Sequence, residues 1–180
     1  MTPTPFQGFD AGDGRPPGNG TNYRAQALAT RLAENAEALA AFASGLSDAE
    51  WQMRLAKDGR KIGVIVHHVA SVYPIEIRLA RLVADGQPVT GLTPGDIDAM
   101  NASHALDHDD ATRDATVALL RRNAAAAATA ICELRDDELD RAVPVSLYGD
   151  AMLTCQFVLE DHAVRHSRHH LARIRAVLER

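Results

Sequence analysis

The chain has 180 residues, of which 46% are hydrophobic, only 4% aromatic and 24% charged, and it carries a formal net charge of -5. That length suits one domain with a well-developed core, and no shift in composition forces a second. The arginines are interspersed with acids, so there is no basic field for a nucleic-acid backbone. No window approaches about 18 uninterrupted apolar residues, so nucleic acid and membrane are both excluded as expected partners.

Residues 1–20 are rich in Pro, Gly and Asp, with no basic-then-apolar signal, and predict an extended or disordered arm on a cytoplasmic protein. Residues 21–180 then read as one all-α domain. Leu28, Leu32, Ala36, Leu39 and Phe42 recur at helical spacing and predict a first long helix to about Ser44. Ser47-Asp-Ala-Glu50 is a capping box for a short helix carrying Trp51. A second long helix is expected from about Lys61 to Ala84; Pro74 removes the hydrogen bond that the Ala70 carbonyl would accept, giving a kink. Thr93-Pro94-Gly95-Asp96 opens a further helical piece to about Ala105.

Asp109-Asp110 is expected to open a third long helix, in which the alanines from Ala124 to Ala128 predict close packing. The stretch from Ala142 to Asp150 reads as a connection, and Asp150 as the N-cap of a fourth long helix to Leu178. The fold class predicted is a four-helix bundle with short extra helices and an extended N-terminal arm. Cys132 and Cys155 lack the spacing of a thiolate metal site and read as small buried hydrophobes.

Histidines crowd two stretches: His67-His68, and His162 with His166, His169 and His170. Each residue advances about 100° around a helix, so phasing ranks them. His68 lies within roughly 60° of Val64, Ile65, Val72, Ile75, Leu79, Leu82 and Val83, and reads as buried. His67 falls on the flank of Arg78 and Arg81, a solvated edge or boundary. On the last helix, Asp161, Arg165, Arg168 and Arg175 define a polar arc, with His166 and His170 opposite it, one turn apart on the same face. His162 and His169 lie at the rim, where the plainer reading is a half-exposed histidine.

Any one inward histidine alone reads as a satisfied core residue. His68, His166 and His170 together argue for coordination, because burying several imidazoles without strong partners is costly. Three imidazoles suit zinc, nickel, copper or ferrous iron. The metalloprotease pattern is absent, since Ser167 stands where its glutamate would be. Glu76, about two turns beyond His68, is the nearest carboxylate for supporting the site or for acid/base work, with a solvated glutamate the plainer reading.

Ile62-Gly-Val-Ile-Val-His67-His68-Val69-Ala70 together with His166-Ser-Arg-His169-His170-Leu-Ala-Arg-Ile174 resembles the DinB/YfiT-like superfamily over most of the chain beyond the arm. The resemblance implies a four-helix bundle holding a divalent ion, often zinc or nickel, on His68, His166 and His170. It also implies a metal-dependent enzyme activating water or a low-molecular-weight thiol such as bacillithiol or mycothiol, of S-transferase, isomerase or hydrolase type. The partners it implies are a small thiol or electrophile and a second copy of the chain in a homodimer. The competing expectations are a stress-associated protein whose ion is structural, and a helical interaction module whose histidines are core residues.

Overall fold

The structure, a computed structural model, describes residues 21–56 and 59–178, so the arm expected over residues 1–20 lies outside it. Helix α1, Tyr23–Ser44, buries Leu28, Leu32, Ala36, Leu39 and Ala43 at the three- and four-residue intervals of one helical face. Helix α2, Asp48–Gln52, starts at the Ser47/Glu50 capping box and lays Trp51 across the next long helix, α3, Ile62–Ala84. The crossing needs Gly63, because a Cβ there would stand 2.4 Å from the buried indole. Helix α4, Pro94–Asp107, is capped by Thr93, whose hydroxyl accepts from the Asp96 N–H. Helices α5, Arg113–Cys132, and α6, Asp136–Leu139, follow.

Strands β1, Ala142–Val145, and β2, Ala151–Thr154, form an antiparallel hairpin with Val143 opposite Leu153. The last bundle helix runs without interruption through α7, Cys155–Val158, a π-helical turn, Leu159–Val164, and α8, Arg165–Leu178. The four long helices make the bundle core. Both α1 and α3 pack against α5 and against the Cys155–Leu178 helix, so the two helices that come first in the chain lie diagonally across the bundle. Helix α3 is long and apolar enough to cross a membrane by length and composition, with 61% of that window buried inside the bundle.

Helix α3 passes through Pro74 unbroken. The carbonyl that Pro74 frees, on Ala70, accepts a hydrogen bond of 2.8 Å from the Asn123 amide on α5. The neighbouring helix thus replaces the bond that proline cannot make, and it does so beside the close-packed Ala124 and Ala127.

Several expectations are corrected. Asp150 is not a helix cap: its φ of 61°, after Gly149 at 63°, turns the hairpin, and Thr154 caps the helix by accepting from Phe157 N–H at 3.1 Å. Helix α5 opens at Arg113, not at Asp109-Asp110, because Asp109 is drawn into ion pairs with Lys61 at 2.7 Å and Arg54 at 3.0 Å. Ile75 is exposed, and the buried row of α3 runs instead through Val69, Tyr73, Glu76, Ala80 and Val83. The first half of α3 is apolar on nearly every side, so its periodicity does not fix the centre of the inward face. Cys132 is exposed, whereas Cys155 is buried and donates its thiol to the Ala80 carbonyl.

The Asn123 bond generates a thermodynamic cycle. Asn123→Ala leaves a carbonyl orphaned beside the core and is expected to destabilise the protein by about 1–2 kcal/mol, measured by denaturant unfolding. In a Pro74→Ala background the helix makes its own bond and the same substitution costs less. Equal costs in both backgrounds would contradict the account.

Candidate metal centre

Helix α3 supplies His68 and Glu76, and α8 supplies His166 and His170 from successive turns of one face. His68 and His170 are buried, and His166 is half-buried. One ring nitrogen of each lies within 4.8 Å of the other two. The ring centroids of His68 stand 5.1 Å from His166 and 5.7 Å from His170, edge-on in both cases, while His166 and His170 stack at 4.9 Å. Three imidazoles thus converge from two helices on one point.

Glu76 is 5% exposed, not a solvated residue, and its Oε1 lies 2.5 Å from His166 Nδ1. An ionised carboxylate can only accept, so His166 donates through Nδ1 and keeps the Nε2 lone pair free for an ion. The other Glu76 oxygen, Oε2, and His170 Nδ1 are buried without a hydrogen-bond partner among the described residues. Buried polar atoms left open in this way fit a centre that is completed by a bound group. Beside it, the Tyr73 hydroxyl meets the Ser167 hydroxyl at 2.6 Å in a fully buried contact that ties α3 to α8. Burial pushes the Tyr73 phenol up, which keeps it neutral.

Burial, reinforced by the neighbouring His166, pushes the His68 imidazole down to about 3 and His170 down to about 2. Both therefore stay neutral, the form that binds metal. The rim histidines stand apart from the trio. His162, on the π-helical turn, puts Nε2 3.1 Å from the Tyr148 hydroxyl, which in turn donates to Asp161. Burial lowers its pKa, against the attraction of Glu76. His169 is exposed and touches the trio only through its ring, 5.2 Å from that of His170.

Of the two expected placements, His67 takes the boundary and not the solvated edge. It is half-buried, with Nδ1 2.9 Å from His104 Nε2 and its ring stacked 4.0 Å from that of His108. Helix α4 covers that flank of α3. Phasing of α3 alone cannot show this, and His104 and His108 went unselected although they repeat the four-residue spacing of His166 and His170.

With this geometry in place, comparison with known proteins is decisive for the family. A sequence model described as the DinB superfamily matches residues 31–174. The chain belongs to the DinB superfamily. Among solved structures, this DinB protein is similar to YfiT from Bacillus subtilis, with a TM-score of 0.68, 18% identity and 91% of each chain covered. YfiT is described as a probable metal-dependent hydrolase with an unusual four-helix bundle topology. No curated protein gives a significant sequence match.

Two measurements follow. Glu76→Gln weakens the acceptor that orients His166 and is expected to lower metal affinity by about 10–100-fold with the fold retained, read by competition with a chelator. In metal-free protein, His68 and His170 carry folded pKa values below the unfolded value of about 6.5. The unfolded chain then takes up protons that the folded chain refuses, so stability is full above about pH 6.5 and is lost as pH falls toward about 3. His170→Gln removes one titrating group and should flatten that loss; parallel stability profiles for the two proteins would contradict it.

Proposed function

We propose that this DinB protein is a metal-dependent enzyme in which His68, His166 and His170 hold a divalent ion, zinc or nickel. The observation that carries this reading is the imidazole trio, buried at His68 and His170, with the Glu76 carboxylate on the far nitrogen of His166. Such an ion, bound by three neutral imidazoles with a position left open, lowers the pKa of a small nucleophile, water or a low-molecular-weight thiol, toward neutrality. The description of YfiT as a probable metal-dependent hydrolase supports the water branch of this reading.

The chain's own residues have distinct tasks in the proposal. Glu76 holds the His166 ring and its tautomer, and the Tyr73–Ser167 contact fixes the spacing of the two helices. The apolar bundle around His68 and His170 excludes water from the protein side of the centre. His162, already engaged with Tyr148 and placed in the field of Glu76, is the group assigned to carry a proton to or from the reacting molecule. The exposed His169 has no task in this reading. The substrate is a small electrophile, and the protein works as a homodimer.

A second reading, in which the ion only staples α3 to α8, is favoured by one observation: the trio bridges two helices, with one imidazole on α3 and two on α8. The two readings separate on turnover. Metal-loaded protein is expected to hydrolyse activated esters or amides, or to consume a thiol in the presence of an electrophile. That activity should fall to background in His170→Ala. Metal bound at full occupancy without turnover on either panel would overturn the enzymatic reading and leave the staple.

A further inference from the structure

We propose that His67, His104 and His108 form a second divalent-metal site, which joins α4 to α3 beside the first. One ring nitrogen of each lies within 4.8 Å of the other two. His67 Nδ1 and His104 Nε2 face each other at 2.9 Å, while the ring of His108 stacks 4.0 Å from that of His67 and lies tilted 4.6 Å from that of His104. His104 lies in the last turn of α4 and His108 is the C-cap just beyond it, and both rings reach His67 on the same flank of α3.

Hydrogen bonding within the cluster does not satisfy it. Among the described residues His104 Nδ1 is buried without a partner, and the Ser71 hydroxyl near His67 Nδ1 already donates to the His67 carbonyl at 2.8 Å. A second, independent observation comes from α4 itself. This helix of 14 residues buries none of them. A surface helix ordinarily docks through an apolar stripe, yet Leu106 is 82% exposed and Met100 46% exposed. Ring contacts from His104 and His108 to His67, and from His104 to His68, tie this helix to α3. An ion shared between one helix and a pair of ligands on the other supplies the anchor that apolar burial does not.

An all-imidazole donor set selects a borderline cation such as zinc, nickel or copper over magnesium or calcium. The ring of His104 meets that of His68 edge-on at 5.6 Å, so the second site touches a member of the first trio. Loading of α4 therefore sets how the first centre is covered on that side.

The test is calorimetric titration of metal-free protein with zinc or nickel. The wild type is compared with the double variants His104→Ala/His108→Ala and His68→Ala/His170→Ala, each verified as folded by circular dichroism. No residue of α4 is buried, so the first double variant spares the bundle core. The wild type is expected to bind about two ions per chain and each double variant about one. Metal should also slow hydrogen exchange along α4 in the wild type and in the His68/His170 variant, but not in the His104/His108 variant. Equal stoichiometry in the wild type and the His104/His108 variant overturns the second site, whatever becomes of the first. One ion kept by the His68/His170 variant and lost when His104 and His108 are also replaced establishes the second site, even where the first proves wrong.

Discussion

The structure depends on how an apolar bundle accommodates imidazoles. A neutral imidazole carries one donor and one acceptor, and leaving either unmet in a desolvated site costs on the order of 1–3 kcal/mol. His68 and His170 are buried between α3 and α8, and His170 Nδ1 has no hydrogen-bond partner among the described residues. His166 is met by Glu76, itself a buried carboxylate with one oxygen unpartnered. Such an arrangement is unfavourable as inert core and favourable as a ligand set. The same desolvation that makes it costly keeps the His68 and His170 rings unprotonated and able to bind.

The scaffold around the trio departs from a regular helix bundle at two places, and each helps to place it. Asn123 takes the carbonyl released by Pro74, which lets α3 continue past His68 to Glu76 on the same helix. The π-helical turn Leu159–Val164 comes immediately before the helix that carries His166 and His170. One widened turn shifts the face of everything that follows, and such turns recur at functional sites. The Tyr73–Ser167 contact then locks the two helices in register beside the trio.

Much of this arrangement is legible in the sequence. Four long helices follow from apolar spacing, and the convergence of His68, His166 and His170 follows from phasing two of them. The reach of Glu76 to the site was less visible, because α3 is apolar on almost every side ahead of it and its wheel has no sharp centre. The partners of His67 are hidden for a different reason: the residue lies on a flank that looks solvated until α4 covers it, and one helix cannot reveal its neighbour. Asp150 shows a third limit, since an acidic residue before a helix reads as a cap until its positive φ assigns it to a turn. These failures cluster at contacts between elements, where local periodicity carries no information.

The central claim is that His68, His166 and His170 share one ion. Anomalous diffraction from crystals of tag-free protein loaded with zinc or nickel, collected on both sides of the metal absorption edge, tests it most directly. The account predicts an anomalous peak bounded by ring nitrogens of His68, His166 and His170, with Glu76 on the remote nitrogen of His166. Loaded crystals with no peak between these three rings would contradict it.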